Sequence, residues 1–567
     1  MSDLPFQIPF AGGATRRQMI AGGALILILP PPNLADAETP AVFEHLVSNG
    51  QSLMEGDEAE PILTTAPIPG AVKFARGIGT WSLDDHPSDP GKRDAASFAL
   101  VPMLPDTDKS YTTRGVENMM VTLTSLRRLQ PGAPANVLGT YAGQGGRRLS
   151  DLSSEDRLHK GYFKTLLDDF NRAKIAAGPA KYFVGGYFWD QGQREGDLKI
   201  YEDKPVTTFQ AVRDAWAKNF MVHVTQMRAA VTGITGQPSV PVFINQVTGG
   251  PVSVAQLMVI DKMPGVFLCG PTYAVPHAEN SRRAYDPLKQ TYNVRGDSIH
   301  LSADGQRWMG CQAAKVLQRV NSGVPWKGLR PAGTSARRMD SLNIEVDFHV
   351  PVPPLVLDTG FFPKANGWGF SAYDDSAPGT TANRIGVIEA IVTNDARAKK
   401  IGTVRFRLAS PIGIGRGIFR GAFDGSFDSA ANFEVTTTVA GPVVFGQPTT
   451  LIHLAAGADR GVLAAASAEG CFYAWLLKGT GPSRLLIDAV SITRGNVSLR
   501  VENRHMAAKL QPGAMYAAGR SAPYTNLRDS DGEITALTFG DFFGGARRGT
   551  AYPLWNWCAC FELPVKV

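Results

Sequence analysis

The stretch Phe43–Gly56 reads FEHLVSNGQSLMEG, and it contains the pattern from which the fold can be predicted. It begins with a short strand-like run, Phe43–Val47, in which the first and the last two residues are apolar, and then turns at Gly50. A short apolar run bounded by turn residues is typical of a buried strand in a parallel sheet. Open α/β sheets bind their ligands beyond the carboxyl ends of such strands, which is where Ser52 lies. The stretch therefore predicts a first strand followed by a candidate functional serine.

The alternation of apolar runs and amphipathic stretches continues to about residue 325. Strands alternating with helices predict an α/β domain with helices on both faces of a parallel sheet. Further strand-like runs lie at 135–140, 182–188 and 240–244. Helix-like stretches lie at Thr113–Leu129, Tyr162–Ala177, Thr207–Val231 and Ala303–Val320.

The second half of the chain differs, with short β-branched runs, many glycines and few stretches of helical spacing. Apolar and polar residues alternate in several segments, namely 342–350, 384–392 and 402–408. This alternation predicts an antiparallel β-sandwich over 341–567, in which 416–512 is a candidate inserted β module. A stretch rich in Pro, Gly, Arg and Ser, 326–340, predicts the linker to the α/β domain at 38–325.

Size and charge exclude some classes of protein. The chain has 567 residues, and single cores stop growing near ~250–300 residues, so more than one domain is expected. With 44% hydrophobic and 19% charged residues, the composition argues against disorder. The formal net charge is +6, but no Lys/Arg block has interleaved aromatics, so we do not expect nucleic-acid binding. An acidic polysaccharide stays open as a partner.

The first residues predict a leader. A pair, Arg16 and Arg17, precedes the small-residue and apolar run Ala21–Leu29, and Ala35–Ala37 forms an A-x-A cleavage site. The apolar run is about half of the ~20 residues that a membrane span needs, so a removable leader at 1–37 is favoured over an anchor. The paired arginines resemble a twin-arginine signal, which implies periplasmic or extracellular export and a mature chain without a membrane span. A lipoprotein or an uncleaved leader stays open.

The cysteines and acidic turns give little support for a metal. The five cysteines form no CxxC pair and no zinc spacing, and most are expected to be small buried residues. The stretch Asp529–Glu533 resembles part of a calcium loop but lacks the remaining spacing, so a polar turn is favoured. No metal or cofactor is predicted.

A second chemically informative stretch, Arg295–Gly305, reads RGDSIHLSADG and precedes the last helix-like segment of the α/β part. Residues three apart on a tight turn can approach each other, so Asp297 could accept from one imidazole nitrogen of His300 while the other nitrogen faces Ser52. Ser298 lies between the two and after the last predicted strand, so it is rejected as a nucleophile. No Gly-x-Ser-x-Gly occurs, which argues against an α/β-hydrolase elbow.

Two of these motifs resemble a known family. Gly50-Gln51-Ser52 looks like the first block of the SGNH hydrolases, in the form found in the sialate O-acetylesterase and acetylxylan esterase group. The family usually continues Asn-Met, whereas this chain has Leu53-Met54. The pair Asp297 and His300 resembles the family's terminal Asp-x-x-His block. The resemblance covers roughly 40–320 and implies a three-layer α/β/α, flavodoxin-like parallel-sheet domain.

Two intermediate segments resemble the remaining blocks. Tyr141–Arg148 follows a predicted strand and is similar to the second block, whose glycine supplies a backbone N–H; here that implies Gly145 or Gly146. Phe188–Asp197 resembles the third block, whose first glutamine supplies a side-chain amide, and that glutamine maps onto Gln191. Such donors form the oxyanion hole of an acyl-transfer enzyme. This chain has Gln-Arg at 193–194, where the family commonly has Glu-Ser.

The resemblance implies a serine esterase that removes O-acetyl or similar short acyl groups from carbohydrate, without a cofactor. Ser52 would be the nucleophile and His300 the general base, and Asp297 would orient the imidazole. Three alternatives stay open: a lipase or thioesterase with the same triad, a polysaccharide O-acetyltransferase, and a non-catalytic carbohydrate-binding surface protein. The sequence does not indicate the sugar, the acyl position or the oligomeric state.

Overall fold

The computed structural model describes most of the chain beyond residue 40. The described residues, some by backbone alone, are 41–57, 59, 62–79, 96–106, 116–196, 208–277, 282–286, 291–295, 300–359, 361, 364–374, 384–412, 417–422, 433–438, 450–456, 459–466, 471–478, 481–485, 489–493, 496–501, 524–539 and 549–566. The leader predicted at 1–37 and Asp297 lie outside them. Pro40–Val567 form one compact unit, and the predicted division of this unit into domains stays a prediction.

A seven-stranded sheet organises the first half of the chain. Its strands are β1 (Val42–Gly50), β2 (Ala71–Phe74), β3 (Leu100–Pro102), β4 (Asn136–Tyr141), β5 (Lys181–Asp190), β6 (Val242–Gln246) and β7 (Val266–Pro271). They follow the order β3-β2-β4-β1-β5-β6-β7, and every pair is parallel except β2 with β3. The prediction of a mixed α/β fold with a parallel-rich sheet is confirmed.

Seven α-helices accompany the sheet in the described part of the chain. They are α1 (Ser52–Glu55), α2 (Met119–Leu129), α3 (Leu149–Leu152), α4 (Tyr162–Ala177), α5 (Phe209–Thr235), α6 (Gly250–Lys262) and α7 (Ala303–Asn321). Polar N-caps explain where three of them begin, because the side chains of Asn118, Thr208 and Ser302 accept backbone N–H groups of the first turn. No described helix is long and apolar enough to cross a membrane.

Apolar residues cover both sides of the sheet. Neighbouring side chains of β1 point to opposite faces, so Leu46 joins a cluster with α2 and α7, whereas Val47 joins one with α4 and α5. Four cysteines, Cys269, Cys311, Cys558 and Cys560, are buried free thiols, and the side chain of Cys471 lies outside the described residues. The helices therefore pack against the alternating side chains of both faces.

The remaining strands lie mainly in the second half of the chain. In chain order they are β8 (Arg282–Asp286), β9 (Thr291–Arg295), β10 (Arg330–Pro331), β11 (Ala336–Arg338), β12 (Asn343–His349), β13 (Val356–Leu357), β14 (Phe370–Tyr373), β15 (Arg384–Asn394), β16 (Ile401–Leu408), β17 (Ile418–Gly421), β18 (Phe433–Thr438), β19 (Thr450–Ala456), β20 (Asp459–Ala466), β21 (Cys471–Lys478), β22 (Gly481–Leu485), β23 (Ala489–Thr493), β24 (Asn496–Val501), β25 (Leu527–Arg528), β26 (Ile534–Thr538), β27 (Ala551–Pro553) and β28 (Phe561–Lys566).

An eight-stranded, mainly antiparallel sheet dominates this half, in the order β10-β12-β11-β28-β17-β14-β15-β16. Its last strand, β16, pairs with β15 along one edge and with β12 along the other. The sheet thus closes on itself, which corrects the predicted sandwich of two stacked sheets. The predicted alternation is nevertheless correct, because the inward residues of these strands, among them Val346 and Phe406, form one apolar cluster.

Two smaller sheets use the strands between β17 and β25. One has the order β18-β24-β23-β9-β8, and the other consists of β19, β20, β21 and β22. The first sheet joins strands of the predicted β module to β8 and β9, which belong to the segment just before His300. Two-stranded pairs, β13 with β25 and β26 with β27, complete the described sheets.

The C-terminal segment packs directly against α7. The indole ring of Trp308 stacks on Tyr552, with ring centroids 5.8 Å apart, and its Nε1–H donates to the Pro553 carbonyl at 2.8 Å. Further along α7, Lys315 is 2% exposed, and its ammonium lies 3.1 Å from Asp531 and 2.9 Å from Asn556. Aromatic packing and a buried polar cluster therefore hold the helix that follows His300.

The polar turn predicted at 529–533 belongs to that cluster. Asp529 is fully buried, and its carboxylate accepts backbone N–H groups from Val352 at 3.0 Å and Asn556 at 2.9 Å. Burial raises the pKa of Asp529, and the nearby Lys315 ammonium partly opposes this shift. Two cations of α7 thus face this acidic turn, Lys315 beside Asp531 and Arg319, whose guanidinium lies 2.9 Å from Glu533.

Candidate active site

Ser52 lies where β1 ends, between the two inner neighbours β4 and β5. The Gln51 N–H donates to the carbonyl of Asp190 at 3.1 Å, which fastens the turn to β5. The three strand ends approach so closely that a Cβ at Gly50 would lie 2.1 Å from the Asp190 oxygen, and one at Gly143 would lie 2.1 Å from the Gly50 oxygen. Both positions therefore require glycine, because a side chain at either would separate the strand ends that hold Ser52 at the start of α1.

Neighbouring helices satisfy the polar groups of α1. The Gln306 amide donates to the Leu53 carbonyl at 2.6 Å, and the Asn118 amide donates to the carbonyls of Met54 and Glu55, both at 3.0 Å. A four-residue helix cannot satisfy its last carbonyls itself, so these amides from the starts of α2 and α7 replace intrahelical partners. They fix the backbone on which Ser52 stands.

His300 approaches Ser52 from the segment that leads into α7. The following residue, Leu301, bridges to His277, and the Ser302 N–H donates to the Pro276 carbonyl at 3.0 Å. His300 Nε2 lies 2.7 Å from Ser52 Oγ, across 248 positions of sequence. The structure therefore brings the predicted nucleophile and base within hydrogen-bond distance. The predicted partner of the imidazole, Asp297, lies outside the described residues, and its role stays a prediction.

Two other histidines have a structural role. His45 and His223 are fully buried, and burial lowers their pKa values to about 3, so both rings are neutral. The His45 ring lies 2.9 Å from the hydroxyls of Tyr182 and Thr140, and His223 Nε2 lies 2.8 Å from the Tyr187 hydroxyl. Both ring nitrogens of His45 are hydrogen-bonded, whereas His223 is bonded through Nε2 alone and its buried Nδ1 has no hydrogen-bond partner among the described residues.

Of the predicted oxyanion donors, Gly145 lies beside the Ser52 side chain. A Cβ built on it would lie 3.5 Å from Ser52 Cβ, so a side chain here would contact the predicted nucleophile. Its N–H, however, donates to Glu55 Oε2 at 2.8 Å. The next residue, Gly146, has a φ of +70° with open space around it, so it supplies the left-handed turn of this loop.

Gln191 is fully buried and its amide is engaged elsewhere. Its Nε2 donates to the Arg147 carbonyl at 3.2 Å and to the Glu195 carboxylate, and its Oε1 accepts from Trp216 at 3.4 Å. A primary amide has two N–H groups, so both are used here. In this arrangement the amide donates to Arg147 and Glu195 and has no N–H left for an oxyanion. The role of Gln191 as an oxyanion donor stays a prediction.

Sequence reasoning missed two carboxylates of the site, Glu55 and Glu195. Burial raises the pKa of Glu195 to about 7, although the side chain accepts the Leu149 N–H at 2.5 Å and contacts Gln191. A signal for Glu195 existed, because the family block carries a glutamate where this chain has Gln193, and Glu195 lies two residues further on. No sequence signal pointed to Glu55.

A third buried acid, Asp190, lies at the end of β5 beside the serine turn. Burial raises the pKa of Asp190 to about 7, and the Gln193 amide donates to its Oδ1 at 3.5 Å. Gln193 in turn accepts from the Gln51 amide at 2.8 Å. The residues beside Ser52 are thus tied to the third predicted block through side chains.

An apolar pocket lies at the carboxyl ends of β6 and β7, the same edge of the sheet as Ser52. Its walls include Asn245, Trp308, Trp555 and Trp557, and it is open to solvent on one side. Within the described residues, no group of three His, Cys, Asp or Glu side chains is placed to hold a metal ion.

Comparison with known proteins gives distant similarities. No protein-family model and no curated protein matches the sequence. Two similar solved structures are each 14% identical to it. One, a protein from Arabidopsis thaliana, has a TM-score of 0.33 over 49% of this chain and 98% of that chain. The other, a carbohydrate acetylesterase from Xanthomonas citri, has a TM-score of 0.39 over 67% of this chain and 75% of that chain. Such similarity carries no argument about activity, so function must be argued from the site.

Proposed function

We propose that this chain is a serine esterase of the SGNH type that removes O-acetyl or similar short acyl groups from carbohydrate. The observation that carries the proposal is the 2.7 Å contact between His300 Nε2 and Ser52 Oγ. It occurs beyond the carboxyl end of β1, where the strand order reverses between β4 and β5, and open α/β sheets bind ligands at such a point. The apolar clusters on both faces support a three-layer α/β/α arrangement.

The proposed reaction is a two-step acyl transfer. His300 accepts the proton of the Ser52 hydroxyl as the oxygen attacks the ester carbonyl, and a tetrahedral oxyanion forms. The imidazolium then gives the proton to the departing sugar oxygen, which leaves an acyl group on Ser52. Water, activated by the same imidazole, releases the acid and restores the serine. Asp297 is proposed to orient the imidazole and stabilise its charged form.

The oxyanion requires donors that face the Ser52 oxygen. We propose the backbone N–H of Ser52 together with that of Gly145 or Gly146, and each such donor is worth about 10²–10³ in rate. Gln191 remains a proposed donor, but it would first have to release one of its two present acceptors. No cofactor has a part in this mechanism.

The test is acetate release from a panel of acetylated polysaccharides and from 4-nitrophenyl acetate. Purified protein is compared with the Ser52→Ala and His300→Ala variants, and circular dichroism confirms that each variant is folded. Loss of acetate release in both variants supports the proposal. Unchanged release in either variant contradicts it.

The apolar pocket favours a second candidate, an esterase for larger acyl groups. Its tryptophan-lined walls lie at the same edge of the sheet as Ser52, where an acyl chain or aromatic acyl group would find apolar contacts. A series of 4-nitrophenyl esters from acetate to decanoate separates the two candidates. Highest kcat/KM for acetate supports the acetylesterase, whereas a steady rise with chain length supports a lipase or thioesterase.

Two further alternatives differ in simple observables. An O-acetyltransferase would incorporate acetyl groups into polysaccharide instead of releasing acetate. A non-catalytic binding protein would bind glycan, and Ser52→Ala would leave every measured activity unchanged.

We also propose that the substrate is acylated carbohydrate met after export, in the periplasm or outside the cell. Detection of the protein in the periplasmic or culture fraction, and its loss when Arg16 and Arg17 are both replaced by lysine, would test the export.

A further inference from the structure

A buried acid is connected twice to the residue that precedes Ser52. Asp190 is fully buried at the end of β5, and its backbone carbonyl accepts the Gln51 N–H at 3.1 Å. Its side chain reaches the same residue through Gln193. The Gln193 Nε2 donates to Asp190 Oδ1 at 3.5 Å, and Gln193 Oε1 accepts from Gln51 Nε2 at 2.8 Å. Asp190 therefore holds Gln51 both by its backbone and by a chain of two amide side chains.

The carboxyl group of Asp190 has little around it to balance a negative charge. Within the described residues, Oδ2 makes no hydrogen bond, and Oδ1 accepts only from the neutral Gln193 amide at a long distance. A carboxylate that is buried without a cation or several donors is costly, so this site favours the uncharged acid. Burial accordingly raises the pKa of Asp190 to about 7. The acid can thus change its charge near neutral pH.

Ionisation of Asp190 would be transmitted to the serine turn. A carboxylate is roughly twice as strong an acceptor as a neutral group and holds its donors at about 2.7–2.9 Å, so it would draw the Gln193 Nε2 closer than its present 3.5 Å. Because an amide group is rigid, the Gln193 oxygen would at the same time move away from Gln51. Gln51 directly precedes Ser52, and a displacement of about 1 Å at the reacting groups can lower a rate by about 10²-fold. The charge of the acid therefore reaches the nucleophile through two amides.

The neighbouring titratable groups do not change charge in the same range. In the described part of the chain, burial and, to a smaller degree, the charge of Asp190 raise the pKa values of the Tyr141 hydroxyl on β4 and the Cys269 thiol on β7. Both groups are therefore uncharged near neutral pH. Burial also raises the pKa of Glu195 to about 7, but its carboxylate contacts Gln191 and has no printed bond to the chain that leads to Ser52. Asp190 is thus the acid whose titration bears on the serine turn.

We propose that Asp190 is a positioning residue for Ser52, which holds the serine turn in place through Gln193 and Gln51 only while it carries its proton. The proposal rests on the esterase function proposed above and adds a regulation of the same site. Ester hydrolysis slows when the buried acid ionises. Because Asp190 acts on the position of the nucleophile, the change falls mainly on kcat and leaves KM nearly constant.

The experiment is the pH profile of kcat and KM for 4-nitrophenyl acetate with the full-length protein, after subtraction of the rate without protein. In the wild type, kcat should fall by about 10-fold or more between pH ~7 and ~9, and a return to pH ~7 should restore it. Asp190→Asn keeps the shape of the side chain but cannot ionise, so its kcat should stay level over this interval. Glu195→Gln is the matched control, because it removes the other acid with a pKa near 7 and should keep the decline.

A second variant tests the connection instead of the acid. Gln193→Met interrupts the chain of side chains and leaves Asp190 in place. It should lower kcat at pH ~7, because Gln51 loses its partner, and it should make the decline up to pH ~9 shallower. If circular dichroism shows that Asp190→Asn does not fold, the Gln193→Met profile decides alone, and a decline as steep as in the wild type overturns the proposal.

Three further outcomes overturn it: a wild-type kcat that stays level, a decline that disappears in Glu195→Gln, and a decline that persists in Asp190→Asn. The last includes a kcat lowered by the same factor at every pH, which is what a merely structural role of Asp190 would give. Ser52→Ala is measured in parallel. Acetate release that survives in Ser52→Ala, or is absent from the wild type, overturns the esterase function and this proposal with it. Release that depends on Ser52 but declines equally in Asp190→Asn overturns this proposal alone.

Discussion

His300 Nε2 lies 2.7 Å from Ser52 Oγ, and the two side chains come from opposite ends of the α/β half of the chain. Ser52 is held by the turn after β1. His300 is held by the next two residues, because Leu301 forms a β-bridge with His277 and Ser302 caps α7. The Gln306 amide, in the first turn of α7, donates to the Leu53 carbonyl beside the serine. The packing of α7 near α1 thus sets the distance between the two reactive groups.

The first prediction concerns this pair. Ser52→Ala and His300→Ala should each lower kcat/KM for acetyl esters by about 10⁴-fold or more, because a nucleophile and its base act as a unit. The double variant should be about as slow as either single variant, and 4-nitrophenyl acetate hydrolysis measures all three. His349→Gln is the control, since His349 is half-buried on β12 and should keep full activity. If the fold-losses in kcat/KM of the two single variants multiplied in the double variant, Ser52 and His300 would not act in the same step.

The second prediction concerns the strand ends that carry Ser52. Gly143→Ala should lower the free energy of unfolding by at least about 1–3 kcal/mol and also reduce esterase activity, because the new Cβ would lie 2.1 Å from the Gly50 oxygen. Gly233→Ala is the matched control. Gly233 lies inside α5 with no atom within 4 Å of a new Cβ, so alanine should raise stability by up to about 1 kcal/mol. Urea unfolding measures both, and a neutral Gly143→Ala would refute the close approach.

The third prediction concerns the buried cation of α7. Lys315→Met should lower the free energy of unfolding by about 3–5 kcal/mol, because it leaves Asp531 and Asn556 without the ammonium at 3.1 and 2.9 Å. Lys164→Met is the comparison. The Lys164–Asp168 pair is on the surface, with side chains 73% and 47% exposed, so its loss should cost only about 0–1 kcal/mol. Equal effects in urea unfolding would mean that Lys315 is accessible to water.

The fourth prediction concerns pH and stability. Burial raises the pKa of Asp190 from 3.8 to about 7, so the folded chain keeps a proton that the unfolded chain has already released. The free energy of unfolding should therefore fall as pH rises through that interval, and it should level off above pH ~7. Asp190→Asn should make this decline shallower by roughly 2–4 kcal/mol between pH ~5 and ~8. Glu195, whose pKa is also raised to about 7, should keep part of the decline in the variant.

Urea unfolding of wild type and Asp190→Asn at several pH values measures this difference. Gln193 contacts Asp190, so Gln193→Ala serves as a control that disturbs the same cluster without removing the acid. Parallel curves for the wild type and Asp190→Asn would show that Asp190 is ionised in the folded chain at neutral pH.

Much of the α/β half could be predicted because its elements have strong local signals. The helix expected at Tyr162–Ala177 has those bounds in the structure, and the run at 182–188 lies within β5. In the second half, alternation located β12, β15 and β16, yet it could not tell a sandwich from a closed sheet. Alternation reports which face of a strand is buried, whereas closure depends on which strand meets the last free edge.

The site was less accessible to sequence reasoning. The serine and histidine segments carry recognisable motifs, and the glycines beside them mark close backbone approaches. The contact between Glu55 and Gly145 joins positions that are 90 residues apart and depends on the direction of one side chain, which no spacing encodes. The occupation of the Gln191 amide by Glu195 is of the same kind. Motifs identified the groups, but only the folded arrangement shows which donors are already engaged.

The packing of Trp308 and Lys315 against the C-terminal segment makes the two halves of the chain depend on each other. A protein shortened near residue 325 would expose an indole ring and a lone ammonium on the helix that directly follows His300. We expect such a fragment to aggregate or to lose the proposed esterase activity, even though Ser52 and His300 remain in it. Substitutions in the last forty residues should then change the turnover of esters without contacting Ser52 or His300, because they allow α7 to shift.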